Sequence, residues 1–213
     1  MALTYPLSLA TWFDALPLAS ITFELSEAWV TSETAGGEIL TSGYGTRLWG
    51  GLCTIATRQH RDAERLAALG RALRAPGATF LATPTHMKVP AGVPVLPASP
   101  VLNAQQNGKE IKIGGLTSGD KLAAGEFIGW TYGSSPLRYA LHQLVEDATA
   151  AGSGITGWAE VVPPIKPGKS NATAVVIEKP VCLARVVPGS WGPPQVRAVL
   201  AAGFSFAWTQ SLR

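Results

Sequence analysis

Short alternating segments run through most of this chain, and they predict β-strands broken by Gly and Pro. The sharpest is at the end, where Phe204, Phe206 and Trp208 alternate with Ser205, Ala207 and Thr209. Side chains alternate across a strand, so this segment presents three aromatics to one side. A strand at a chain end frays unless a sheet holds it. The last strand is therefore expected to close a β-domain begun much earlier, with other structure inserted between. Near the start, Ile21, Phe23 and Leu25 alternate with Thr22, Glu24 and Ser26, which predicts a half-exposed strand over residues 20–30. Residues 32–38 read as a polar loop, and residues 47–57 as a second strand carrying Trp49, Leu52, Cys53 and Ile55.

One segment changes period. Over residues 60–74, Ala63, Leu66, Ala67, Gly70 and Leu73 recur at three- and four-residue spacing and form one apolar stripe, which predicts a helix. Ala75-Pro76-Gly77 ends it, and residues 78–83 return as a strand. Pro84, Pro90, Pro94, Pro97 and Pro100 then rule out a central strand, because proline has no N–H to donate. The stretch reads as an extended linker. Strands are predicted at 110–114, 126–132, 156–162, 172–177 and 180–187. Residues 137–147 fit a helix through Leu137, Leu141, Leu144 and Ala148, and a strand through Tyr139, Leu141 and Val145. The neighbouring strands favour strand. A second rigid linker, Pro188-Gly189-Ser190-Trp191-Gly192-Pro193-Pro194, leads to the closing strand. The two linkers divide the chain into a discontinuous domain of residues 1–95 and 188–213 and an inserted β-domain of residues 96–187.

Composition adds a reason to expect assembly. Of 213 residues, 46% are hydrophobic and only 15% charged, against about 25% charged in typical soluble domains. Mean hydropathy is +0.19. No apolar run reaches the roughly 18 residues of a membrane-spanning helix, and the first six residues lack the basic start and apolar segment of a signal peptide. The apolar excess is thus expected to be buried against other protein copies, whose obligate interfaces are richer in apolar surface. Net charge is +3, and no Lys/Arg cluster outlines a nucleic-acid groove. Arg58, Arg61, Arg65, Arg71 and Arg74 flank or sit on the helix, where a solvated face accounts for them.

Candidate chemistry is sparse. Cys53 and Cys182 lie in apolar strand-like runs and read as small buried hydrophobes rather than a disulfide framework. His60, His86 and His142 do not pair with each other or with Cys at metal-ligand spacing. Gly168-Lys169-Ser170 resembles the end of a phosphate loop, but Pro163 stands where the first glycine belongs. Asp120 and Glu126 fall on a turn, and the Asn171-Ala172-Thr173 sequon needs secretion to matter. The expectation is no catalytic residue, no metal, no cofactor and no membrane insertion.

Several runs nonetheless carry a family resemblance. Trp12-Phe13-Asp14-Ala15-Leu16-Pro17, Glu33-Thr34-Ala35-Gly36-Gly37-Glu38-Ile39 and Arg47-Leu48-Trp49-Gly50-Gly51 are similar to small tail proteins of siphophages infecting alphaproteobacteria. The charged helix at 60–74, the runs 77–80 and 116–125, and the terminal Phe204-x-Phe206-x-x-x-Gln210-x-Leu212-Arg213 agree with them. That group resembles distal tail proteins. The resemblance implies a mainly β protein with one α-helix: a β-sandwich or barrel ring domain with an inserted second β-sandwich that projects outward. It implies a homohexameric ring that joins the tail tube protein to the tail hub and tip proteins around a channel for genomic DNA. Such a protein would be assembled in the bacterial host cytoplasm and reside in the virion tail. Channel walls of this kind are expected to be acidic, so that DNA passes without specific binding, whereas this chain is net basic. Glu24, Glu27, Glu33 and Glu38 cluster in the first third and are the candidates for the lumen.

Two other classes compete. A carbohydrate-binding module for host attachment would use Trp130, Tyr132 and Trp158 as an exposed sugar-stacking platform, with Trp130 and Tyr132 on one strand face. The competing expectation for these aromatics is a place in the core. A tail-associated hydrolase would need a polar catalytic cluster, and the sequence offers none.

Overall fold

The computed structural model describes residues 3–85, 92–93, 97, 99–166, 173–195, 200–201 and 203–213. Most of the proline-rich segment between residues 84 and 100, His86, and the run Gly168-Lys169-Ser170 with Asn171 lie outside the described residues. The first part of the chain forms β1 (Leu18–Ile21), β2 (Glu24–Leu25), β3 (Trp29–Glu33), β4 (Ile39–Gly43), β5 (Trp49–Ile55), β6 (Arg58–Gln59), helix α1 (His60–Leu73) and β7 (Phe80–Ala82). The middle forms β8 (Val101–Gln106), β9 (Glu110–Gly114), β10 (Lys121–Leu122), β11 (Phe127–Tyr132), β12 (Arg138–Leu144), β13 (Ala148–Thr149), β14 (Ala159–Val162) and β15 (Val175–Val176). The chain finishes with β16 (Cys182–Val186), β17 (Leu200–Ala201) and β18 (Ser205–Gln210). The protein is thus mainly β with one α-helix among the described residues, as the alternating pattern predicts.

Two antiparallel sheets organise the molecule. The first runs β1-β5-β18-β16-β7, with β2 also on β5. The closing strand lies at its centre: Phe206 is opposite Cys53 and Trp208 opposite Gly51. Phe204, Phe206 and Trp208 are all buried, together with Trp12, Phe13, Trp49 and Phe80. Full burial of one such large apolar side chain stabilises by about 1.5–3 kcal/mol, so this aromatic set dominates the first core. Gly51 is required by close approach, since a Cβ there would lie 1.8 Å from the Thr22 carbonyl oxygen as the chain crosses from β1 to β2.

The second sheet runs β15-β11-β12-β14-β9-β8. Its ends come back together: Leu102 N–H donates to Thr173 O at 2.8 Å and Val175 N–H to Pro100 O at 2.8 Å, so the sheet nearly closes into a barrel. Residues 137–147, ambiguous by periodicity, contain strand β12, paired along its length with β11 and, at Gln143 and Leu144, with β14. Long-range pairing decides what the local spacing leaves open.

Two expectations are corrected. Residues 20–30 are not one strand but fall in β1, β2 and β3, whereas the polar loop expected at 32–38 is present over residues 34–38 as the turn of the β3–β4 hairpin. The expected insert, ending at residue 187, takes in strand β16. That strand is hydrogen-bonded between β18 and β7 in the first sheet, so residues 182–186 pair with the early and late parts of the chain. The apolar run 180–187 has the same alternation wherever it pairs, which is why the proline linker at 188 misplaced the boundary.

Helix α1 lays its predicted stripe on the first core, with Ala63, Leu66, Ala67, Gly70 and Leu73 buried and Arg65 and Arg74 exposed. The second proline-rich linker is packed rather than loose. The Trp191 ring stacks 4.9 Å from Phe204 and 5.6 Å from Phe206, and it covers Gly70.

Candidate assembly surface

The β3–β4 hairpin is the most exposed structured element. Trp29 faces Gly43 and Glu33 faces Ile39 across it. Thr34 shapes the turn: its N–H donates to Glu38 O, its carbonyl accepts from Gly37 N–H, and its Oγ1 accepts from Glu38 N–H at 3.1 Å. Gly37 has φ +82°, a left-handed conformation that glycine adopts without strain. Both strands are exposed along their whole length. Apolar Trp29, Val30, Ile39 and Leu40 stand on the hairpin, and Tyr44 follows at its base with 69% of its surface exposed. The sequence held a signal for this element: β-prone residues on either side of Gly36-Gly37. The polar character of 32–38 concealed it.

The four lumen candidates map to this region. Glu24 lies in β2 opposite Gly50, Glu27 between β2 and β3, Glu33 at the end of β3, and Glu38 at the far side of the turn. All four are exposed. The ion pairs among the described residues join Arg71 to Glu64, Lys121 to Asp147 and Lys179 to Asp14, and they leave these glutamates without a cation.

The glycan-stacking candidates do not come together. Trp130 is buried in the second core, its ring stacked 4.6 Å from that of His142. Tyr132 is half-buried against the same core. Trp158 is 36% exposed, and the Lys112 ammonium stands 4.7 Å over its ring. Lys112 lies between Ile111 and Ile113, which point into the second core, so Trp158 and Lys112 occupy the outer face of the sheet. Trp130 and Trp158 thus share no exposed surface, and the three-residue platform does not form.

The remaining polar candidates have structural partners. His142 is buried and shares a 2.7 Å hydrogen bond between Nδ1 and Pro163 O. Asp120 Oδ2 accepts from Thr117 N–H at 2.8 Å, and Glu126 Oε2 from Ala123 N–H at 3.0 Å. Each carboxylate closes its own turn. His60 is half-buried at the start of α1. Cys53 and Cys182 are buried free thiols. They sit in β5 and β16, on either side of β18, and Cys53 is opposite Phe206 whereas Cys182 lies beyond the Ala184–Gln210 pair, so strand spacing alone keeps their backbones at least about 9–10 Å apart, beyond the roughly 7 Å that a disulfide spans. Burial pushes the Cys53 thiol up to about 12, against a smaller opposing effect of the Trp208 side chain. Burial raises Cys182 further.

The two sheets meet in a seam that includes the closing strand. Trp49 Nε1–H donates to Leu141 O at 2.9 Å, and Trp49 N–H donates to Gln210 Oε1 at 3.1 Å. Phe127 of the second sheet packs 5.2 Å from Trp49 and 5.7 Å from Phe23. Thr83 Oγ1–H donates to Pro180 O at 2.9 Å. The hairpin therefore projects from a body whose two halves are joined by buried hydrogen bonds and aromatic contacts. No family model and no curated protein matches this chain.

Proposed function

We propose that this protein is a structural ring component of a phage tail. Its copies assemble, as a hexamer by the resemblance, into a ring that joins the tail tube to the tip complex and encloses the DNA channel. The observation that carries the reading is the threading of the strands: the last strand lies beside β5 at the centre of the first sheet, while a second β-structure occupies the chain between. This is the arrangement that the distal-tail resemblance of the Trp12, Glu33 and Arg47 runs implies. The exposed glutamates Glu24, Glu27, Glu33 and Glu38 line the channel in this reading. DNA is densely negative, so a wall of carboxylates repels it where lysines would hold phosphate. The burial of Trp130 leaves the glycan-binding alternative without its platform.

Negative-stain microscopy of the purified protein tests the proposal. Rings with a central hole are expected, alone or on added tube protein. Phage particles carrying Glu→Lys changes at the four positions are expected to build normal tails and release their genome more slowly. Normal release removes the lumen assignment, and a monomer that never enters a tail removes the whole reading.

A further inference from the structure

The positive charge of this chain is unevenly placed. Residues 65–109 and 179–213 contain no Asp or Glu. Strands β7, β16 and β18 and the later turns of α1 come from these two runs, so that side of the first sheet carries arginine with no carboxylate side chain from its own elements. Arg185, Thr209, Gly50 and Glu24 form one rung across the sheet. Three strand spacings, about 14 Å, therefore separate Arg185 from the acidic β2.

The two runs meet at a cleft of about 260 Å³ formed by the end of α1, the turn into β7 and the end of β16. Arg74, Thr79, Arg185, Pro188 and Arg213 are among its lining residues, and none of the lining residues is acidic. The three arginines are exposed and belong to none of the ion pairs among the described residues. Arg185 is held in place: its Nη2–H donates to Oγ of the buried Ser211 at 2.9 Å, and Ser211 N–H donates to Leu183 O at 2.8 Å. The nearest acid along α1 is Glu64, about 15 Å of helix before Arg74 and paired with Arg71. The carbonyl end of α1 brings about half a negative charge to the cleft, and the Arg71 and Ala72 carbonyls there already accept from Arg74 and Ala75 N–H. With an α-carboxylate on Arg213 counted as well, three guanidiniums leave the cleft net positive.

We infer that the cleft lined by Arg74, Arg185 and Arg213 is an oxyanion site that takes phosphate or pyrophosphate. A guanidinium offers N–H donors in a planar fork that matches the oxygens of a phosphate group. A phosphate group carries about −1.5 to −2 at neutral pH, so it balances the charge of the cleft better than a single carboxylate does. The cleft is smaller than the roughly 300–1,000 Å³ of sites that enclose drug-sized ligands, so it holds the phosphate itself and not the base and sugar of a nucleotide. The site stands apart from the glutamates assigned to the channel. It goes beyond the ring reading and does not rest on it.

The test is isothermal titration calorimetry of the full chain with pyrophosphate, with inorganic phosphate and with a duplex DNA fragment, at fixed ionic strength and with thermal melts to verify folding. Saturable binding of both small anions is expected, tighter for pyrophosphate. Arg74→Gln and Arg185→Gln are each expected to weaken it by roughly tenfold or more, the scale of losing hydrogen bonds to a charged partner. Arg71 pairs with Glu64 and does not line the cleft, so Arg71→Gln is expected to bind like the wild type. Should Arg74→Gln or Arg185→Gln fail to fold, Arg213→Gln replaces it with the same expected loss. A folded wild type that binds neither small anion overturns the site. A loss of the same size in Arg71→Gln also overturns it, because that marks a diffuse charge effect. Binding that neither cleft variant weakens places the anion elsewhere and overturns the assignment. Binding of the DNA fragment alone, abolished by the cleft variants, overturns the inference in favour of a surface that tracks a nucleic-acid backbone. A protein that forms rings and binds no pyrophosphate loses this site and keeps the ring reading.

Discussion

Gly70 sets two physical effects of similar size against each other, and the structure decides the sign. In a helix interior, Gly→Ala removes backbone entropy from the unfolded chain and is worth about 0.8–1.0 kcal/mol of stability. Gly70 lies in the third turn of α1, so propensity alone predicts that Gly70→Ala stabilises. Its Cβ, however, would stand 1.9 Å from Cη2 of Trp191 and within 2.7 Å of two further ring carbons. Trp191 cannot yield without leaving Phe204 and Phe206, on which it stacks. Overpacking of this kind costs about 1–3 kcal/mol, so the net effect is a loss of up to roughly 2 kcal/mol. For a chain of this length that lowers Tm by up to roughly 8 °C, measurable by calorimetry or circular dichroism. The decisive comparison repeats the substitution in a Trp191→Ala background. With the ring gone, Gly70→Ala is expected to become stabilising by about 0.5–1 kcal/mol. A Tm increase in the otherwise wild-type protein refutes the contact, and a loss that persists without Trp191 refutes the explanation.

Three further outcomes follow from the same geometry. Leu66→Ala is expected to cost about 2–5 kcal/mol in chemical denaturation, because Leu66 joins α1 to the first core; a change below about 0.5 kcal/mol, the scale of surface substitutions, means the stripe is not packed. Cys53 keeps its proton to about pH 12 in the folded state and releases it near 9.0 when unfolded, so above pH 9 the unfolded state binds fewer protons and stability falls as pH rises. The stability difference between wild type and Cys53→Ala should therefore shrink between pH 9 and pH 12 in urea titrations, and a constant difference contradicts burial of the thiol. Deleting residues 98–187 removes β16 from between β18 and β7 and takes Phe127 and Leu141 from the first core; the product is expected to be insoluble or to lack a cooperative melt, whereas a soluble, cooperatively melting product shows that the first sheet does not need β16.

The seam explains why the two β-structures are poor candidates for independent units. Trp49 and Gln210 stand in the first sheet, Leu141 in the second, and the hydrogen bonds among them are buried. Leaving a buried donor or acceptor unsatisfied costs about 1–3 kcal/mol, so separating the halves exposes an aromatic surface and strands polar groups together.

Periodicity along the chain determined the elements whose neighbours are local or whose faces are unequal. The stripe on α1 and the alternation of Phe204, Phe206 and Trp208 were legible because burial on one side imposes a period on the sequence. Tertiary structure alone decided what depends on a distant partner. The strand at Arg138–Leu144, which the neighbouring elements favoured and local spacing left open, is held by β11 and β14 on either side, and residues 182–186 joined the first sheet because β18 and β7 stand on either side. Trp130 and Trp158, alike as sequence symbols, parted to the core and to the surface according to the face of the sheet that each occupies. The hairpin was hidden because both its faces meet solvent, so no burial imposed a one-sided pattern. The element with the greatest need of a partner thus left the weakest periodic signal in its own sequence.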